Sequence, residues 1–201
     1  MDFAPHHGAK GLPERIVAGG LVIRGWSPDD LQARYAAVVE SYDHLHPWME
    51  WLSEPPTLER QRRWGEQQSD PGRSTSERSY GIFDAREGTL LGVVGAHDRL
   101  GPAVLEIGYW CHVAHTGKGV ITRAADALTR AALALDGVER VEIRCDRANS
   151  RSAAVARRLG YRLDRIENDG IYAPAECGQS LVWTRDRDSR LPWTDCSDTR
   201  P

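Results

Sequence analysis

One stretch, residues 104–161, constrains the fold of this 201-residue chain more than any other part. Its pattern predicts an apolar strand, a glycine loop, a long amphipathic helix, a second strand, an asparagine-bearing loop and a short helix. The loop His115–Val120 carries Gly117, Lys118 and Gly119 directly before the long helix. Backbone N–H groups in such a loop, together with those of the helix's first turn, bind phosphate groups. The stretch therefore indicates an α/β domain with a phosphate-binding site at the start of this helix.

Antiparallel strands come before this stretch. Arg78–Asp84 and Leu90–His97 are apolar segments separated by a short turn, so we expect them to form a hairpin. Val104–Cys111 is expected to pair beside that hairpin. Together with an early strand, two early helices and two strands at the end, this order predicts a mixed α/β sheet. We expect a mostly antiparallel sheet of about seven strands with helices on both faces.

Two of the predicted helices have clear apolar faces. Ser27 is expected to cap the first helix, with Pro28 at its first position. Its apolar positions recur at helical spacing: Leu31, Tyr35, Val38 and Val39. The long helix after the glycine loop has a wider apolar face, formed by Ile121, Ala124, Ala125, Leu128, Ala132 and Leu135.

Length and composition favour one domain with a sizeable core. The chain is 40% hydrophobic and 27% charged, values typical of globular proteins. We expect a loose N-terminal arm over residues 1–18, one folded domain over 19–185 and a polar tail over 186–201.

Several other classes of protein are disfavoured. A formal net charge of -3 gives no reason to expect a nucleic-acid partner. The four cysteines contain no CxxC pair, so we expect no metal site and interpret the cysteines as reduced thiols of a cytoplasmic protein. No apolar run approaches the roughly 18 residues of a membrane span, so we expect no membrane partner.

Several motifs occur in a fixed order: Glu106-Ile107-Gly108-Tyr109-Trp110, Gly117-Lys118-Gly119, Arg144-Cys145-Asp146, Asn149 and the run Ser152–Tyr161. This ordered set resembles the RimJ/RimL branch of the GNAT N-acyltransferases. The resemblance covers residues 21–183. The family's glycine loop usually begins with Gln or Arg, where this chain has Thr116, and ends with a small residue, where it has Ile121; Gly119 is kept.

The resemblance implies an acetyl-CoA-dependent N-acetyltransferase in which an amine attacks the thioester directly in a ternary complex. In that family, pantetheine binds like an extra strand, which implies contacts to the backbone of Tyr109, Trp110 and Cys111. Asn149 and Ser152 are expected to cap the following helix and reach the cofactor. The expected pyrophosphate-binding positions are Gly117, Lys118, Gly119, Val120, Ile121 and Thr122.

Catalytic residues are also implied by the resemblance. Glu106 is expected to act as the base, Cys145 to protonate the departing thiolate, and Ser152 to help hold a water. For Glu106 the alternative is a solvated strand residue, and for Cys145 a small core residue. Tyr161 is a second candidate donor. RimL-type enzymes place another glutamate late in the chain, near the position of Ile171 here.

The acceptor amine is expected to contact the segment between the first two helices. Tyr42, His44, Trp48 and Trp51 are the predicted substrate-binding residues, since aromatic rings attract cations; the alternative is an apolar lid. The remaining histidines, including His97, are interpreted as surface or core residues.

The acceptor itself stays open between the N-terminal amine of a protein and a small-molecule amine. Succinyl-CoA or another acyl-CoA is the alternative donor. A second function class, a module that binds acyl-CoA without turnover, also fits the glycine loop. The sequence leaves a homodimer open.

Overall fold

The computed structural model describes residues 11–68 and 77–188, which contain an eight-stranded sheet covered by helices on both faces. Its order is β1-β2-β3-β4-β5-β6-β8-β7, and β5 with β6 is the only parallel pair among the described strands. The mixed, mostly antiparallel sheet is as predicted, with one strand more. The strands are β1 (Arg15–Ala18), β2 (Leu21–Arg24), β3 (Arg78–Asp84), β4 (Leu90–His97), β5 (Val104–Cys111), β6 (Arg140–Asp146), β7 (Arg162–Asn168) and β8 (Gln179–Asp186). The helices are α1 (Leu31–Glu40), α2 (Tyr42–Leu45), α3 (Leu58–Gln68), α4 (Val120–Leu133) and α5 (Ser150–Arg158).

The extra strand corrects the expected loose arm. Residues 15–18 pair antiparallel with β2, and Leu12 is buried in the core. The Tyr80 hydroxyl also donates a hydrogen bond to the Pro13 carbonyl oxygen at 2.7 Å. The arm prediction is therefore wrong for residues 11–18, because apolar burial and strand pairing offset the entropy of ordering them. Residues 1–10 lie outside the described part, as do residues 189–201 of the predicted tail.

A short 3₁₀ turn, Pro28–Asp30, precedes α1 and begins with a capping box, since the Ser27 hydroxyl accepts from the Asp29 N–H and the Asp30 carboxylate accepts from the Ser27 N–H. Ser27 therefore caps this turn, and α1 itself has no side-chain cap. The predicted apolar face is wrong at one position: Val39 is 45% exposed. Arg34 and Ala37 are buried instead, together with Val38.

Helix α4 fills the larger core on one face of the sheet. Its buried side chains pack against β4, β5 and β6. The predicted apolar face is confirmed, as Ile121, Ala124, Ala125, Leu128, Ala132 and Leu135 are all buried. Helices α1 and α3 contact each other on the opposite face, where smaller apolar clusters lie.

Within the described residues, no helix combines the length and apolar character of a membrane span. The same residues contain no group of three or more His, Cys, Asp or Glu side chains that could hold a metal ion. Cys111, Cys145 and Cys177 are free thiols.

The Leu128 side chain on α4 is fully buried. Leu128→Ala should therefore leave a cavity in the core and lower the free energy of unfolding by about 2–5 kcal/mol. Urea denaturation followed by circular dichroism measures the loss. Leu163→Ala is the matched control: Leu163 is 41% exposed, and the expected loss is below about 1 kcal/mol. Equal losses for the two variants would contradict this assignment of the core.

Candidate active site

The site is built where the two parallel strands separate. Cα partners between β5 and β6 run from Val104↔Arg140 to Glu106↔Glu142, and the registered pairing ends there. Beyond Glu106, β5 stays paired with β4 as far as Cys111, and β6 stays paired with β8. A wedge-shaped gap therefore opens along β5, and its backbone groups there can pair with an extended ligand.

The glycine loop lies beyond the open end of this gap. Gly117 and Gly119 have φ values of 73° and 71°, in the left-handed region that glycine adopts without strain. A Cβ atom at either position would meet nothing within 4 Å, so both backbones face open space. Arg123 N–H bonds back to the Gly119 carbonyl at 3.1 Å. The N–H groups that come before Arg123, in the first turn of α4, have no partner within the helix. Such groups favour binding of an anion.

Side chains of the loop mostly hold the loop itself. The Thr116 hydroxyl donates to the Val113 carbonyl at 3.0 Å, and Lys118 Nζ donates to the Ala114 carbonyl at 2.9 Å. Val120 and Ile121 turn their side chains into the core. These two residues therefore offer a ligand their backbone alone, which explains why a bulky Ile121 is compatible with the loop.

A cleft of about 480 Å³ occupies the gap. Two segments that are distant in sequence meet beside this cleft, because the Ala175 N–H donates to the Pro47 carbonyl at 2.9 Å. Their neighbours Trp48 and Glu176 line the cleft. Predicted residues from several motifs line it together: Trp48, Glu106, Tyr109, Cys145, Asn149 and Ser152.

Hydroxyl and thiol groups meet on one wall of this cleft. The Tyr109 hydroxyl is 3.1 Å from Ser152 Oγ, and Asn149 Oδ1 accepts from the Ser152 N–H at 3.1 Å. Burial raises the pKa of Tyr109 and the pKa of Cys145 above their usual values. Both groups are therefore protonated at neutral pH and can donate hydrogen bonds to a ligand.

Trp110 and Cys111 continue β5 towards the loop. Trp110 packs against the apolar clusters beneath α1, whereas Cys111 packs on the core under α4. Burial raises the pKa of Cys111 to about 11, so this thiol is also neutral. Their backbone follows the same open edge as Tyr109.

A second cleft, of about 580 Å³, lies beside the first, next to α1 and α3. It is lined by residues of α1, α3, β4 and β5, many of them aromatic. Four residues line both clefts: Met49, Arg99, Gly108 and Tyr109. The two clefts consequently meet at Gly108 and Tyr109, just beyond the last β5–β6 pair.

Glu106 is buried at this junction and paired with Arg99. Arg99 Nε donates to one carboxylate oxygen at 2.9 Å and Nη2 donates to the other at 2.5 Å. This bidentate hydrogen bonding raises the pKa of Arg99 and holds its positive charge against the carboxylate. The prediction had weighed a base against a solvated strand residue; Glu106 is neither solvated nor unpaired.

The predicted substrate-binding residues separate into two groups. Trp48 lines the first cleft and Trp51 the second. Tyr42 stacks on the His46 ring at a centroid distance of 5.1 Å, and His44 lies near Arg151, whose charge adds to burial in lowering the pKa of His44. Neither Tyr42 nor His44 is among the described residues that line the two clefts, and their role stays a prediction.

Two acids, Glu167 and Glu176, lie near Ile171 in the sequence, the position at which RimL-type enzymes place a glutamate. Glu167 accepts from Arg144 at 3.0 Å and from Arg165 at 2.6 Å, so it belongs to a surface ion-pair network. Glu176, which the sequence gave no reason to select, lines the first cleft. Its carboxylate accepts from the backbone N–H groups of Tyr172 and Ala173 at 2.7 and 3.0 Å.

His97 and Arg99 are the residues that sequence reasoning missed. His97 ends β4 opposite Glu106 and lines the second cleft. Burial lowers the pKa of His97, followed by the charge of Arg99. The signal lay in the expected pairing of Val104–Cys111 beside the hairpin, because the histidine that ends Leu90–His97 then comes opposite an acid near the start of the next strand.

The family model described as an acetyltransferase (GNAT) domain matches residues 20–162. A curated relative, the "Putative ribosomal N-acetyltransferase YdaF" of Bacillus subtilis (strain 168), is 26% identical over 159 residues, covering 76% of this chain and 83% of the relative.

Two solved structures are similar in fold. RimL, a ribosomal-protein N-acetyltransferase bound to coenzyme A, has a TM-score of 0.75 at 20% identity, covering 88% of this chain and 98% of that chain. MccE, the microcin C7 self-immunity acetyltransferase bound to acetyl-CoA and AMP, has a TM-score of 0.74 at 18% identity, covering 83% and 92%.

Tyr161 does not reach either cleft, since its hydroxyl is buried against Thr129 Oγ1 at 2.7 Å. Tyr161→Phe should therefore lower the free energy of unfolding by about 1 kcal/mol through the lost hydrogen bond. Thermal or urea denaturation measures this change. Tyr172→Phe is the control at a 56% exposed position and should change stability little. Unchanged stability of Tyr161→Phe would contradict the buried pair.

Proposed function

The chain belongs to the GNAT acetyltransferase family, whose co-substrate is acetyl-CoA, and on that premise we propose that it acetylates the N-terminal amine of a protein. The observation that carries the proposal is the meeting of two clefts at Gly108 and Tyr109. A thioester in the first cleft and an amine in the second would come together there without either blocking the other.

Acetyl-CoA fits the glycine loop and the strand gap. Its pyrophosphate would accept hydrogen bonds from the N–H groups of Gly117 to Thr122, with Lys118 adding positive charge. Its pantetheine arm would pair with the β5 backbone at Tyr109, Trp110 and Cys111, where the partner strand has moved away. The open space at both glycines supports this placement.

The thioester end would then lie beside the protonated groups on the cleft wall. The C–S bond breaks as the amine nitrogen forms its bond to the acetyl carbon, and the departing thiolate needs a proton or a hydrogen bond. Cys145 and Ser152 are proposed to supply it, with Tyr109 as a further donor bonded to Ser152. Asn149 acts through the Ser152 N–H and fixes the start of α5.

Names of relatives support a protein acceptor. YdaF is described as a ribosomal N-acetyltransferase and RimL as an enzyme that acetylates a ribosomal protein at its α-amine. The second cleft here is wide, apolar and open beside Trp51 and Trp64, which suits the end of a peptide chain. A small-molecule amine is the alternative acceptor.

A thiol-release assay tests the proposal. Acetyl-CoA is mixed with short peptides that carry a free N-terminus, with the same peptides N-terminally blocked and free of lysine, and with a panel of small amines. Release that requires a free peptide N-terminus is the expected result. Turnover of small amines without peptide turnover would overturn the acceptor assignment. Faster reaction with succinyl-CoA would reassign the donor, and tight coenzyme A binding without any release would favour a binding module.

Compartment and assembly also remain proposals. A cytoplasmic location agrees with the free thiols of the described cysteines, because disulfides are rare in reducing compartments. A homodimer would be tested by light scattering coupled to size-exclusion chromatography.

Gly119→Trp should abolish coenzyme A binding, because the indole would occupy the space proposed for the pyrophosphate. Isothermal titration calorimetry with coenzyme A measures the loss, expected to exceed about a hundredfold in Kd, or about 2.7 kcal/mol. Gly88→Trp is the control: it also lies in a turn, its Cβ would meet nothing within 4 Å, and its affinity should match the wild type. Wild-type affinity in Gly119→Trp would remove the loop from the binding site.

A further inference from the structure

We propose that His97 is the base of the reaction, its Nε2 accepting the proton that the acceptor amine loses on attacking the thioester. The inference rests on the proposed function and names a residue that the sequence had assigned to the surface or the core. It is carried by where the ring lies, by what the neighbouring acids contact, and by the chemistry of the ring.

The His97 ring lies over two glycines of neighbouring strands. Gly95 of β4 and Gly108 of β5 are cross-strand partners, and His97 comes two residues after Gly95 on the same face of the sheet. His97 Nε2 lies 3.4 Å from the Cβ position of either glycine. Gly108 lines both clefts, so Nε2 faces the point at which the amine and the thioester would meet.

The acids around the junction are already engaged. Both carboxylate oxygens of Glu106 accept from Arg99. One carboxylate oxygen of Glu176, Oε2, accepts from two backbone N–H groups, and Glu176 lines the first cleft but not the second. A carboxylate held in this way is a poorer proton acceptor, because leaving those donors costs hydrogen bonds. His97 is the titratable group at this junction that presents a ring nitrogen towards it.

The electrostatic surroundings of the ring set its protonation state. Burial lowers the pKa of His97 most, and the Arg99 charge lowers it further, whereas the charges of Glu106 and Glu77 act in the opposite direction. The ring is therefore neutral at pH 7. Glu77 lies 3.6 Å from Nδ1, which favours the proton on that nitrogen and leaves the lone pair on Nε2.

A neutral amine nitrogen forms a bond to the acetyl carbon, the C–S bond breaks, and the surplus proton on nitrogen moves to Nε2. The thiolate takes one proton from the Cys145 and Ser152 donors, which regain it from solvent. The imidazolium returns its proton to water through the open second cleft.

The test compares kcat over pH, at saturating acetyl-CoA and acceptor, for the wild type and His97→Gln, with coenzyme A affinity measured in parallel. The readout is kcat because kcat/KM also reports the ionisation of the free acceptor amine, whose usual pKa is about 8. We expect kcat to fall at least about a hundredfold in the variant while the Kd for coenzyme A stays within about twofold, since the ring faces the acceptor side. In the wild type, activity should be lost as pH falls through the lowered pKa of His97, below 6.5, and this acidic limb should vanish in His97→Gln.

Two further variants separate a base from a structural residue. Glu77→Gln removes a charge that raises the pKa of His97, so the acidic limb should move to lower pH. His46→Gln, a histidine whose Nδ1 contacts the Leu52 carbonyl at 2.8 Å, should leave the position of that limb unchanged. Added imidazole should restore part of the activity of His97→Ala, which a merely structural role would not allow.

The possible failures are distinguishable. Absence of amine-dependent thiol release by the wild type would overturn the proposed function itself. An active wild type whose His97→Gln variant keeps at least a third of its kcat and the same acidic limb would overturn the His97 assignment alone. If His97→Gln fails to fold, an acidic limb that does not move in Glu77→Gln overturns the assignment in the same way.

Discussion

The loss of pairing between β5 and β6 after Glu106 is the constraint on which the rest of the structure depends. Each strand keeps its partner on the other side, so the two are pulled apart without either becoming irregular: β4 holds β5 as far as Cys111, and β8 holds every residue of β6. Tyr109 and Ser152 bridge the gap, at 3.1 Å between their hydroxyl oxygens. The gap is therefore a stable feature. Its width is fixed by the contact between Ser152 of α5, the helix that follows β6, and Tyr109 of β5.

Helix α4 connects this gap to the glycine loop. Its buried face is anchored in the core beneath β4, β5 and β6, which fixes the direction in which its first turn points. Two left-handed glycines then bring the chain from the end of β5 to that first turn. Because the loop's polar side chains bond to nearby carbonyls, the surface it offers is largely backbone N–H. Such a surface suits a diphosphate, which accepts hydrogen bonds and carries negative charge.

Charge is distributed differently on the two sides of the junction. The wall beside Cys145 and Tyr109 holds neutral donors, kept protonated by burial. The opposite side holds a closed ion pair, Glu106 with Arg99, and an imidazole whose pKa burial has lowered. In the proposed reaction, a leaving group that needs a proton and an amine that must lose one would meet these two different environments, which a single uniform pocket could not provide.

The sequence by itself determined the glycine loop, the amphipathic α4, the hairpin of β3 and β4, and the membership of Glu106, Cys145, Asn149 and Ser152 in one region. The first three features are local, because they follow from helical or strand periodicity and from turn chemistry within a few tens of residues. The grouping of the four site residues is what the family resemblance implied. Only the tertiary structure decided that β1 joins the sheet, that Val39 faces solvent while Arg34 is buried, and that Tyr161 ends in the core. It also decided that Arg99 closes on Glu106 and that His97 lies over Gly108. The reason is physical: strand partners, register and the face of a buried ring depend on contacts between segments far apart in the chain, and periodicity along one segment does not encode them.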